Sequence, residues 1–129
     1  MRSETVRAAL FAIRDNIRLA EQFAAGLTFA QFQASPLHVY GVTRALEIIS
    51  EASRRLPDEL RQRHSELPWR SIRDVGNFYR HEYDNVLASY LWATVHDHLS
   101  PLSTAVEDEI ARLPGPPIPP DLPPGVSDG

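Results

Sequence analysis

The chain has 129 residues, 43% of them apolar, no cysteine, and a net charge of −4 with histidine neutral. That size suits one domain around a single core. The missing cysteines exclude disulfide staples, cysteine zinc sites and a thiol nucleophile, and the negative balance argues against a protein that coats nucleic acid by bulk attraction.

In chain order, the sequence reads as helices punctuated by proline. Val6, Leu10, Ile13, Ile17, Ala20 and Ala24 recur at helical spacing, with Arg7, Arg14, Arg18 and Glu21 opposite, which predicts an amphipathic helix over residues 3–25, ended by Gly26. Glu4, Asp15 and Glu21 distinguish this helix from an Arg-rich transit peptide, and no uncharged apolar run approaches the length of a membrane span. A soluble, unprocessed, cytoplasmic protein with no membrane partner is the expectation. Thr28 and Gln31 fit a capping box for a short helix through Phe32, while Ser35-Pro36 supplies an N-cap and a first-turn proline for a long helix. That helix carries Val42, Ala45, Leu46, Ile49, Ala52 and Leu56 on one face. Pro57-Asp58 opens another short helix, Pro68 precedes one from Trp69 to Arg80, and a further helix spans about Val86 to Leu99. Ser100-Pro101 is read as the start of the last, ending near Leu113.

No stretch shows sustained strand alternation, so the fold class is all-α, an antiparallel bundle of four to six helices over residues 1–113. The last sixteen residues, 114–129, hold seven prolines and form a proline-rich tail expected to be extended and disordered.

All cations are arginine. Between Arg54 and His81 lie seven arginines (Arg54, Arg55, Arg61, Arg63, Arg70, Arg73, Arg80) against four acids (Asp58, Glu59, Glu66, Asp74), so the basic surface is central. At its end, Asn77-Phe78-Tyr79-Arg80-His81-Glu82-Tyr83-Asp84 gathers a histidine, an arginine, an amide, two tyrosines and acids. Histidine exchanges protons near neutral pH, and a neighbouring guanidinium and amide can hold a phosphate. On a continuing helix Arg73, Asn77 and His81 occupy successive turns of roughly one face. The plain alternative is a helix cap, in which His81 and Arg80 favour the negative end of the helix dipole. His96 and His98, two apart, point to different sides of a helix, and no metal site is expected. Glu107, Asp108 and Glu109 read as a solvated acidic patch, and Trp69 and Trp92 as core or dimer anchors rather than base-stacking platforms.

Residues 44–102 resemble the HepT-like branch of the HEPN superfamily, the toxin half of a two-gene toxin–antitoxin system. The resemblance is carried by Arg44 to Ala52, by Leu67-Pro68-Trp69-Arg70-Ser71-Ile72, by His81-Glu82-Tyr83 as a His-x-Tyr motif, and by Val95 to Leu102 with Asp97, Leu99 and Pro101. It implies a HEPN-like helical bundle that forms a homodimer, with two copies of the motif facing a shared cleft. It also implies a ribonuclease that needs neither metal nor cofactor, and an MNT-type nucleotidyltransferase antitoxin as partner. Carried over by position, His81 takes the catalytic histidine's role, Tyr83 that of the modified tyrosine, and Asn77 that of the polar residue after the signature arginine.

The residue types agree with that chemistry. RNA carries its own nucleophile in the 2′-hydroxyl, so the protein need only move protons and stabilise charge on the phosphate. The sequence departs from the family pattern at Gly76, which stands where the signature arginine is expected; Arg73, one turn earlier, and Arg80, beside His81, are the candidate replacements. The alternative is a catalytically silent HEPN-type dimer that binds a nucleotide or RNA and serves as partner of a nucleotidyltransferase.

Overall fold

A computed structural model describes residues 2–78 and 84–114 of the chain. Arg80, His81 and Tyr83 lie outside the described residues, as does all of the proline-rich tail after Pro114. Among the described residues the secondary structure is helical, with no strand.

Helix α1 (Arg2–Ala24) buries Ala9, Leu10, Ile13, Ile17, Ala20 and Ala24, the stripe its periodicity predicts with Ala9 added and Val6 only partly buried. It stops at Gly26, whose φ of +76° is the left-handed conformation that favours glycine after a helix end. Helix α2 (Phe29–Gln33) has the reciprocal box its sequence predicts. The Gln31 N–H donates to Thr28 Oγ1 at 3.1 Å, and the Thr28 N–H donates to Gln31 Oε1 at 2.9 Å. Phe32 then points wholly into the core.

Helix α3 (Pro36–Ser53) starts at Ser35, whose hydroxyl oxygen accepts the His38 N–H at 3.4 Å. It buries Val42, Ala45, Leu46, Ile49 and Ala52 and packs along α1. Gly41 sits where a Cβ would lie 3.0 Å from the ring of Phe23, so the end of α1 closes directly on the start of α3 and the two helices run antiparallel. Helix α4 (Asp58–Arg63) follows Pro57 and is tied to α5 (Trp69–Phe78), because the Trp69 indole N–H donates to the carbonyls of Arg61 at 3.2 Å and His64 at 3.0 Å. Those carbonyls lie at the C-terminal end of α4, where helix acceptors lack intrahelical partners.

After the undescribed link come α6 (Asp84–Ala93), a π-helical turn over Thr94–His98, and α7 (Leu99–Arg112), in unbroken succession. The predicted break with Ser100 as cap does not occur. Pro101 has no N–H to offer the preceding turn, and its ring crowds the carbonyl four residues back. The chain widens just upstream, with the Leu99 N–H reaching Thr94 O, and the helix continues past the proline. Leu99 and Leu102 thereby both stay buried.

Helix α1 packs against α3 and α7, α3 also packs against α5, and α2 lies on α3 and α6. Trp92 of α6 fixes that last contact. Its ring meets Phe29 edge-on at 5.8 Å between centroids and Phe32 at 5.4 Å. It is a core anchor, as expected.

Phe32 is fully buried and has no polar atom to compensate for its loss. Phe32→Ala is therefore expected to destabilise the domain by about 3–5 kcal/mol, read as a lower urea midpoint; an unchanged midpoint would contradict the assignment of α2 to the core.

Candidate active site

The candidate site grows from α5, the helix that leads into the His-x-Tyr motif. It carries Arg73 and Asn77 on successive turns, as their spacing of four predicts, and runs without interruption through Gly76 to Phe78. Its apolar residues Trp69 and Ile72 pack on the core. A polar tie fixes its height on α3: the Arg73 carbonyl accepts the Ser50 hydroxyl at 2.6 Å and the Arg54 guanidinium at 2.8 Å. Ser50 is buried, so this bond forms where water competes poorly. Of the predicted site residues, the structure describes the side chain of Arg73 and the backbone position of Asn77, while Arg80, His81 and Tyr83 are outside the described residues.

The Arg73 side chain is half-buried and faces α4. With Asp58, Arg61, Gln62, Ser65 and Trp69 it lines a polar groove of about 470 Å³. Arg61 is already paired with Asp58 across one turn of α4. No ion pair reaches Arg70 or Arg73 among the described residues, whereas Arg54 and Arg63 each hold a carboxylate. Among the described residues the basic stretch thus resolves into arginines held by acids and two on α5 that are not.

A second constellation escapes the sequence reading. Glu109, expected on a solvated patch, is only 3% exposed. The Arg63 guanidinium donates to both its oxygens, at 2.6 and 3.0 Å, and His64 Nε2 donates to it at 2.6 Å, joining α4 to α7. The signal was present, because Leu102, Ala105, Val106 and Glu109 follow the i, i+3, i+4, i+7 pattern of a buried face. Hydrogen bonding to Arg63, aided by His64, holds the Glu109 carboxyl below the ordinary carboxylate range despite burial. His64, Asp108 and Glu109 bring ligand atoms within 4.8 Å of one another, a spacing a cation could bridge. Arg63 already occupies both Glu109 oxygens, however, and would have to leave first. The cluster is an interhelical clamp. Glu107 and Asp108 do remain on the surface, paired with Arg18 and Arg112 at 3.2 Å each.

On the other side of α5 lies a mainly apolar pocket of about 390 Å³, whose lining includes Leu46, Ile49, Ile72, Tyr90 and His98. Burial pushes the Tyr90 phenol pKa up. His96 turns elsewhere: it stacks on Trp92 at 4.1 Å between centroids and donates from Nδ1 to the Trp92 carbonyl at 2.8 Å. The two histidines face apart, as their spacing implies.

Comparison with known proteins adds the context that this geometry lacks. The family model for ribonuclease HepT-like proteins matches residues 13–109. The chain is 34% identical over 95 residues to a protein of Thermococcus cleftensis named "Probable ribonuclease HepT", covering 74% of this chain and 86% of that one. It is 34% identical over 87 residues to a "Putative RNase" of Caldanaerobacter subterraneus, covering 67% of this chain and 78% of that one. A further "Putative RNase", from Methanocaldococcus jannaschii, is 28% identical over 107 residues, covering 83% of this chain and 98% of that one. No solved structure is a significant match.

The Glu109 clamp has a pH signature. Because its pKa is lower folded than unfolded, the unfolded chain takes up the proton first as pH falls. The clamp's contribution is therefore full above the unfolded value near 4.5 and is lost as pH drops through the folded value. Thermal melts of wild type and Glu109→Gln should converge between pH 6 and pH 3; parallel curves would rule out a titrating clamp.

Proposed function

The chain belongs to the HepT-like ribonuclease family, and from that premise we propose that it is the toxin of a HepT/MNT-type toxin–antitoxin pair, a metal-independent endoribonuclease whose proton-transfer residue is His81. The observation that carries this reading is the coincidence of the family match with a motif helix whose arginines have no carboxylate partner among the described residues. RNA hydroxyl chemistry requires two services. A group must take the 2′-hydroxyl proton or protonate the departing 5′-oxygen, and cations must stabilise the phosphorane-like charge between those steps. His81 performs the first. Arg80, adjacent in sequence, serves as the clamp that the family places at Gly76, with Asn77 and Arg73 contributing polar contacts along the same helix.

Two copies acting across a shared cleft would bring two such sets together, and the homodimer is part of the proposal. The partner is a nucleotidyltransferase antitoxin that neutralises the toxin by modifying the phenol of Tyr83, two residues from His81. A bulky, anionic nucleotide there would repel RNA and fill the space beside the imidazole.

Gly76 favours a second reading, a silent HEPN-type dimer that binds a nucleotide or RNA and serves the nucleotidyltransferase. An absent charged clamp commonly costs a few kcal/mol of transition-state stabilisation, and glycine in a helix costs about 1 kcal/mol relative to alanine. The two readings separate on one set of proteins assayed with RNA in EDTA. The enzyme reading expects wild-type cleavage, at least a hundredfold less with His81→Ala, and faster cleavage with Gly76→Arg. Cleavage only after Gly76→Arg is introduced would establish the silent dimer instead, and equal rates for wild type and His81→Ala would remove His81 from the chemistry.

A further inference from the structure

The polar groove lies between α4 and α5, the helix that precedes the motif in sequence. Its rear wall is the row Trp69 and Arg73, and Asn77 continues that row by another four residues towards the end of α5. Its front wall is Arg61, Gln62 and Ser65 from α4 and the turn after it. Among the groove's lining residues the charges sum simply, since Asp58 pairs with Arg61 and Arg73 has no carboxylate partner among the described residues. One net positive charge matches a phosphodiester, which carries one negative charge, better than the monoester of a free nucleotide, which carries nearly two. Neutral donors are also present. Gln62 and Ser65 are exposed at the rim and can hydrogen-bond phosphate or ribose oxygens. The Trp69 indole N–H is already spent on two carbonyls of α4, so its half-buried ring offers only a face, the part a ribose or base would lie against.

We propose that this groove holds a phosphodiester of the RNA chain next to the one that is cut, with Arg73 as its principal contact and Arg61, Gln62, Ser65 and Trp69 as its walls. The proposal rests on the ribonuclease reading and refines it. Arg73 stands eight residues before His81, whereas Arg80 adjoins His81 in sequence, and the Arg73 side chain faces α4. Arg73 is thus a substrate-positioning residue and Arg80 the clamp at the scissile phosphate.

The test is binding, kept separate from cleavage. A labelled 2′-O-methyl RNA octamer, which cannot be cut through its 2′-oxygen, is titrated with the full chain by fluorescence anisotropy at several salt concentrations. Arg73→Gln is expected to weaken binding about tenfold at low salt and to flatten the log–log salt slope by about 0.7, the loss of one phosphate contact on a single strand. Ser65→Glu, which places a carboxylate in the groove from an exposed position, should weaken binding similarly while leaving the melting temperature unchanged. A mononucleotide should bind far more weakly than the octamer. Unchanged affinity in Ser65→Glu would overturn the proposal even if Arg73→Gln binds poorly, since Arg73 would then act elsewhere. A mononucleotide that binds as well as the octamer would overturn it too. Groove-dependent binding by a chain that never cleaves RNA would support the groove and dismiss the ribonuclease reading.

Discussion

Everything in this small domain hangs on α3 being buried from two sides. One side meets α1, where Gly41 lets the ring of Phe23 close on the helix backbone, and α3 buries Val42, Ala45, Leu46 and Ile49. Each fully buried aliphatic side chain of this kind contributes about 1.5–3 kcal/mol, and α1 with α3 forms the most extensive helix–helix contact among the described residues. The other side receives α5, the motif helix. That second contact is partly polar, since the Ser50 hydroxyl and the Arg54 guanidinium both end on the Arg73 carbonyl. The helix that leads into the motif is therefore fixed in height and rotation by groups that belong to the core helix.

The remaining elements close the bundle round that axis and sort its charges. Arg63 and His64 clamp the buried Glu109 of α7, Arg61 pairs with Asp58, and Arg54 with Glu51. A half-buried ion pair of this kind is weak evidence for stability, but a buried carboxylate left unpaired would cost several kcal/mol. Its consequence is geometric, because the C-terminal end of α4 is held both against α7 through His64 and against Trp69 of α5. The groove between α4 and α5 exists because α4 is pinned in this way. A net-negative chain can still present positive charge to a polyanion where local acids are paired elsewhere, as Asp58 is with Arg61 and Glu109 with Arg63.

Much of the fold was legible because local chemistry and periodicity agreed. Gly26, the Thr28–Gln31 box and Ser35-Pro36 each announced a boundary that the backbone then adopts, and the stripes on α1 and α3 named their buried residues. Two readings failed for identifiable reasons. Ser100-Pro101 has the composition of a helix start, but an upstream π turn absorbs the proline and tertiary packing of Leu99 and Leu102 keeps the helix intact. Glu109 was read by its charge when its position in the apolar repeat was the better guide. Of the candidate site, the four-residue spacing of Arg73 and Asn77 could be read directly. The groove could not, because Arg61, Gln62 and Ser65 come from another element and meet Arg73 only through packing.

The central claim is that the chain cuts RNA by turning the substrate's own 2′-hydroxyl into the nucleophile, with protein side chains moving the protons. The most direct measurement maps the cut in a defined RNA oligonucleotide incubated with the purified chain in EDTA, then replaces the single ribose 5′ of that cut with deoxyribose. The account predicts that cleavage at that bond stops, while the unmodified RNA yields a 2′,3′-cyclic phosphate end. Continued cleavage of the deoxy-substituted bond would mean that water or another nucleophile attacks the phosphate, and the account would be wrong.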